Sequence, residues 1–275
     1  MFTIVAGTGY TGGRVLEQLP TDCAVGLSRS PVKTDRNFHL VDFDEIAALP
    51  VELPDRYGVL YTCPPGGETD DRLCRFLALL DPAPARFVYI STTGVYGDCK
   101  GAVVTEASPV NPDNRMSKPR VAAESLLDEW AADNACELVV LRSPGIYGPG
   151  RLGVERLVAG DAYLVNADAS PGNRIHVDDL ATCCLAALSA ETPAGIYNVG
   201  DGDHRTATQF VEEVARQANA DKPRTISLAL ALEEFSPMRL AFLSSSRIVD
   251  TTRMREVLGV TPRTPEDGIR DSLGE

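Results

Sequence analysis

Three glycines near the start of the chain, Gly7, Gly9 and Gly12 in "IVAGTGYTGGRVLEQL", carry the first recognisable chemistry. In a G-x-G-x-x-G between a strand and a helix, the first glycine permits a tight turn. The second lets the backbone approach a pyrophosphate, and the third lets helix and strand pack closely. With Thr8, Tyr10 and Thr11 completing it, this turn predicts a dinucleotide held against exposed N–H groups at the positive end of the helix. The end of the next strand selects the dinucleotide. An acid there would hold a ribose 2′-hydroxyl, whereas "AVGLSRS" offers Arg29 and Ser30. An arginine pairs with a 2′-phosphate, so NADP(H) is favoured, with NAD(H) the alternative if Arg29 is only a solvated loop charge. Asp42, near the end of "HLVDF", fits either a contact to the adenine amino group or the cap of a helix starting near Glu45.

Alternating elements must position these residues. Apolar runs ("FTIVAG", "AVGLS", "FHLVDF", "GVLYTC", "RFVYIST", "ELVVLRS") alternate with helical patterns such as "TGGRVLEQL", "DDRLCRFLALL" and roughly 116–133. Continuous rather than alternating apolar runs are expected where helices cover both faces of a sheet. The fold class is therefore α/β, a Rossmann-like doubly wound parallel sheet with a small C-terminal substrate lobe. Residues 1–142 read as the NAD(P)-binding Rossmann half. Residues 143–275 read as the remaining strands and helices plus the lobe, not an independent domain, with 143–162 and 221–250 as excursions edged by Pro and Gly.

Acidic residues outnumber basic ones, 39 to 26, giving a formal charge of −13. That field disfavours nucleic acid and anionic membranes as partners. No apolar run approaches the roughly 20 residues of a membrane span. "MFTIVAGTGY" lacks the basic start and apolar middle of a signal peptide, so a cytoplasmic location is expected. The seven cysteines are scattered without C-x-x-C and read as reduced, mostly buried thiols. The three histidines are far apart, and no metal is expected.

With "YISTTGVYGD" added, the chain resembles the extended short-chain dehydrogenase/reductases, in particular the NAD-dependent epimerase/dehydratase group and its atypical members. The resemblance rests on "AGTGYTGG", "YISTTGVYGD", "SKPRVAAE", "LRSPGIYGPGR", "NRIHVDDLA" and "GIYNVGDG", and it spans nearly the whole chain. It implies that Thr92 hydrogen-bonds the reacting oxygen of a substrate. It implies that Lys118 holds the nicotinamide ribose and lowers the pKa of a tyrosine four residues earlier. The turn Thr62, Cys63, Pro64 would pass the ribose side of the cofactor, and Pro144 and Ile146 would lie beside the carboxamide. Family members are often dimers through a helix pair that includes 116–133, so a homodimer is a candidate assembly.

The chain departs from the pattern at the proton donor, because Asn114 stands where the tyrosine belongs. A carboxamide can hydrogen-bond a carbonyl but does not titrate usefully. Tyr96 is the nearest substitute. His176 reads as a structural partner of a strand-to-helix junction, Asp178 and Asp179 as an N-cap and a favourable helix charge, and Trp130 as core. Sugar-nucleotide enzymes often carry an arginine four residues before the histidine; Gly172 stands there, and the arginine is Arg174. Three functions follow in order of preference. The first is an NADP-dependent oxidoreductase acting on a small carbonyl or alcohol with an altered proton relay. The second is a non-catalytic NADP(H)-binding sensor, and the third a sugar-nucleotide epimerase or dehydratase.

Overall fold

The computed structural model describes residues 1–31, 34–67, 70–236, 239–240 and 246–274. The apolar runs become strands β1 (Phe2–Ala6), β2 (Ala24–Ser28), β3 (Phe38–Leu40), β4 (Tyr57–Tyr61) and β5 (Arg86–Thr92). The short β6 (Val103–Val104) precedes β7 (Glu137–Ser143), β8 (Gly145–Tyr147) and β9 (Ala162–Leu164). Then come β10 (Arg174–His176), β11 (Gly195–Asn198), β12 (Arg224–Ile226) and β13 (Ile248–Val249). Seven strands form one sheet, ordered β11-β7-β5-β4-β1-β2-β3, with every pairing parallel. β11 joins it from the second half of the chain, so the sheet is completed only by residues beyond 143.

Helices cover both faces. On one side lie α2 (Asp71–Leu77) and α3 (Lys118–Asp133), whose Leu73, Phe76, Ala123, Leu127 and Ala131 pack on Tyr61, Phe87 and Tyr89. Trp130 meets Phe87 edge-on at 5.9 Å, as core. On the other side lie α1 (Gly12–Gln18) and α5 (Val177–Leu188), preceding which the short α4 spans Val154–Val158. The spacing Ala123, Leu127, Ala131 puts one stripe of α3 on the sheet. Pro119 sits in the first turn of α3, where its missing N–H leaves no bond unmade. Burying a residue such as Leu127 contributes roughly 1.5–3 kcal/mol.

The strand order reverses at β1, whose neighbours β2 and β4 lead the chain to opposite sides. Loops leaving the carboxyl ends of these strands diverge there and open a crevice. The C-terminal excursions build smaller layers: β9 pairs with β12, and their core with α7 (Leu228–Glu234) is Leu164, Ile226, Ala231 and Phe235. The amphipathic α6 (Ala207–Gln217) packs between this lobe and Tyr147. All seven cysteines are free, but Cys23 and Cys74 are exposed rather than buried.

Candidate functional site

At the crevice a cavity of about 750 Å³ runs along the carboxyl edge of the sheet. β1 delivers Gly7, which adopts φ +96°, a conformation that an L side chain resists. A Cβ on Gly12 would lie 2.0 Å from the Gly7 carbonyl oxygen, so α1 can cross the turn only without one. Thr62, following β4, donates from Oγ1 to the Gly7 oxygen at 2.5 Å and braces the turn from beneath. A Cβ on Gly9 would meet nothing within 4 Å, and Gly9 lines the cavity. The turn therefore offers bare backbone to the space that a pyrophosphate needs, and in this respect the residues fit a dinucleotide.

Most of the sequence-derived cofactor positions converge on this cavity. Gly7, Thr8, Gly9, Tyr10, Thr11, Arg29, Ser30, Thr62, Cys63, Pro64, Pro144 and Ile146 all line it, as does Thr92. Cys63 is buried, which pushes its thiol up to about 12 and leaves it an inert wall. Gly12 packs behind the turn. Asp42 does not line the cavity, and it caps no helix. Its carboxylate accepts from Asp44 N at 3.0 Å in a tight turn, because residues 43–47 form no helix.

The acid that matters near Arg29 is Asp44. It binds Arg72 through two contacts, 2.8 and 2.6 Å, and lies 3.8 Å from Arg29. Arg72, nearly buried, also donates to the Pro64 carbonyl at 2.9 Å and lines the cavity. Hydrogen bonds from Arg72 hold the Asp44 carboxyl below its ordinary range. Two guanidiniums thus share one carboxylate at the end of the cavity nearest β2, with no acid at positions 28 to 30.

The end of the cavity beside β5 differs from expectation. α3 is assigned from Lys118, and Asn114 lies in the turn that leads into it, its carbonyl accepting from Lys118 N at 3.3 Å, one helical turn on. Its Oδ1 accepts from Met116 N, Ser117 N and Ser117 Oγ at 3.0–3.1 Å, which commits the carboxamide to holding that turn. Lys118 is exposed and absent from the cavity wall. Arg120 takes the interior position instead, since two residues of helix rotate the side chain by about 200°. Its Nη1 donates to the Ile90 carbonyl (2.9 Å), Tyr89 OH (3.0 Å) and the Cys63 carbonyl (3.5 Å). This places a permanent cation beside the end of β5, two residues from Thr92. Thr92 Oγ1 accepts from Gly94 N at 3.1 Å, leaving its hydroxyl hydrogen to donate.

Tyr96 is not at the site. It is 1% exposed, donates to Asn198 Oδ1 (2.7 Å) and accepts from Arg142 (3.0 Å). Burial raises its pKa, the opposite of what a proton donor tuned for neutral pH requires. The same buried network contains Glu124, one turn after Arg120, which pairs with Arg142 at 2.7 Å and accepts from the cavity-lining Ser91. His176 Nδ1 accepts from Asp178 N and is itself the N-cap of α5. Asp178 and Asp179 occupy the first turn and pair with Arg14 and Arg263.

Arg174 is folded over the Phe210 ring at 4.6 Å and donates to the Arg205 carbonyl, away from the main cavity. Beside it, Asp201 is 9% exposed; Oδ1 accepts from Asp203 N, and Oδ2 has no partner among the described residues. Burial raises its pKa from 3.8 to about 7. Between those values the folded protein holds a proton that the unfolded chain releases, so stability falls as pH rises from about 4 to 7. Asp201→Asn is expected to remove that slope. Urea unfolding should then show a gain on the order of 2–4 kcal/mol at pH 8 and little change at pH 4.

Residues 69–200 match the model of the NAD dependent epimerase/dehydratase family. That match covers just under half of the chain, which over this segment is similar to the family. A 3-diazoavenalumate denitrifying reductase from a Streptomyces species is 32% identical over 160 residues, 56% of this chain and 52% of the relative. The chain spans about half the length of the curated relatives it matches, 49% and 52% for two of them. A conserved protein of unknown function from Silicibacter pomeroyi superposes with a TM-score of 0.78 at 27% identity, covering 100% of this chain and 99% of that one. MoeE5, solved with UDP-glucose and NAD, gives 0.75 at 19% identity, covering 100% and 98%, and so shows the shared fold. Other similar proteins are dTDP-glucose 4,6-dehydratases and UDP-sugar 4-epimerases. Among the described residues no helix is long and apolar enough to cross a membrane.

Proposed function

We propose that the cavity binds a nicotinamide dinucleotide, NADP(H) by preference, and that the chain is an oxidoreductase acting on a small carbonyl or alcohol. The observation that carries this reading is the open face of Gly9 within a wall that runs continuously from Arg29 to Thr92 and Arg120. When bound, the dinucleotide supplies hydride-transfer chemistry at a carbon held beside the end of β5. Gly7 to Thr11 hold its pyrophosphate, and Arg29 with Arg72 favours a 2′-phosphate through charge-assisted bonds. Thr92 donates to the reacting oxygen. Arg120 stabilises negative charge that develops on that oxygen, but it carries no proton that it can release near neutral pH.

The proton then comes from water or from the substrate, since Asn114 is spent on its turn and Tyr96 on its buried network. Lacking a tuned acid typically costs about 10²–10⁴-fold in rate. Slow turnover is therefore expected, and no turnover at all would leave an NADP(H) sensor built on the same site. Similarity to that family favours a second reading, a sugar-nucleotide epimerase or dehydratase, because the similar proteins of known activity include enzymes of that kind. Arg174, turned away onto Phe210, does not support a diphosphate contact from that position.

Arg29→Glu tests the cofactor preference. NADPH affinity should fall roughly 10- to 100-fold, the worth of a charge-assisted bond, while NADH affinity holds or improves. Equal losses for both dinucleotides, read by fluorescence titration, would show that Arg29 does not select.

A further inference from the structure

Four arginines line the cavity, and they are not equivalent. Arg29 and Arg72 share Asp44, and Arg120 rests on two carbonyls and a phenol. Arg151, on the loop after β8, has its guanidinium carbon 3.8 Å above the centroid of the Tyr10 ring. Arg14 lies 4.6 Å from the same centroid but is neutralised by Asp178 at 2.9 Å. No carboxylate among the described residues lies within ion-pair distance of Arg151.

The loop that carries Arg151 is registered against the glycine turn. Tyr10 OH donates to the Pro149 carbonyl at 3.0 Å, and a Cβ on Gly148 would come within 2.5 Å of that hydroxyl. Gly148, Gly150 and Gly153 all have positive φ, so the backbone folds tightly on both sides of Arg151. One tyrosine therefore fixes the distance between the glycine turn and an un-neutralised cation facing it across the cavity mouth.

We propose that Arg151 is a phosphoanion-binding residue, parked on Tyr10 and transferring to a phosphate that enters between the turn and the loop. The energetics favour transfer. An exposed cation–π contact contributes about 0.5–1 kcal/mol, and a hydrogen bond to a charged group about 1.5–3 kcal/mol. Guanidinium geometry also suits two phosphate oxygens at once. The phosphate has two sources, the pyrophosphate of the dinucleotide or a phosphate ester on the substrate. The first source rests on the proposed dinucleotide site; the second does not require it.

The test is a pair of calorimetric titrations on wild type and Arg151→Met, which keeps chain length and loses charge. NADPH is the first titrant, and inorganic pyrophosphate, added to protein with and without saturating NADPH, is the second. A loss of about 10- to 100-fold in NADPH affinity assigns Arg151 to the dinucleotide. Unchanged NADPH affinity with loss of pyrophosphate binding to the NADPH-loaded protein assigns it to the substrate. Wild-type binding of both titrants that Arg151→Met fully retains overturns the assignment and leaves the dinucleotide site standing. Failure of wild type to bind NADPH counts against the dinucleotide reading alone, because pyrophosphate binding lost in Arg151→Met would still uphold Arg151. Binding of neither titrant by wild type overturns both.

Discussion

Gly9→Val should leave the fold intact and remove dinucleotide binding. The new Cβ would meet no protein atom within 4 Å, so the free protein should unfold within about 2 °C of wild type. The branched side chain would fill the space in which backbone and pyrophosphate must meet. A loss of at least about 100-fold in affinity, near 2.7 kcal/mol, is expected. Gly12→Ala makes the contrast, because its Cβ would press to 2.0 Å on the Gly7 carbonyl. That variant should lose stability and binding together. If Gly9→Val bound NADPH as well as wild type, the turn would not be the phosphate cradle.

Glu124→Leu should destabilise the protein by about 3–5 kcal/mol, because it leaves the Arg142 guanidinium buried without its counter-charge. Arg142 is 4% exposed and Glu124 9%. Their contact is two-pronged, Nη2 to Oε2 at 2.7 Å and Nε to Oε1 at 3.2 Å. Ser91 Oγ completes the Oε1 site, and Arg142 also supports Tyr96. The double variant Glu124→Leu/Arg142→Met should recover much of the loss, since replacing both partners by apolar groups leaves no stranded charge. Urea unfolding of the two single variants and the double variant measures this directly. A loss under about 1 kcal/mol for Glu124→Leu would mean that the pair is hydrated and worth no more than a surface bridge.

How far the site was legible from sequence follows from where its residues lie. The glycine turn was fully legible, since spacing in a short segment dictates both backbone conformation and exposure. Arg29 and Ser30 could be placed from the end of the second strand, whereas Thr62 and Pro144 were implied only by the family resemblance; parallel strands deliver their carboxyl ends to one edge. Arg72 was not legible: it reaches the cavity from the first turn of a helix, and only the β1–β4 order brings α2 there. Arg120 was not legible from the resemblance, which points to Lys118, a residue on the opposite, exposed side of α3. The signal existed in the stripe Ala123, Leu127, Ala131, on which Arg120 and Glu124 fall and Lys118 does not. Asn114 does stand one turn before Lys118, but its carboxamide is turned onto Met116 and Ser117, which sequence spacing does not reveal. Arg151 depends on a loop whose path is set by Tyr10, a contact between positions 139 residues apart.

The central claim is that this wall binds a nicotinamide dinucleotide. Calorimetric titration of the wild-type protein with NADPH, followed by displacement with NADH, tests it most directly. The expected result is a single site of roughly micromolar affinity, near −8 kcal/mol, from which NADH displaces NADPH poorly. Tighter binding of NADH would contradict the role given to Arg29 and Arg72. Absence of heat with either dinucleotide would contradict the claim itself.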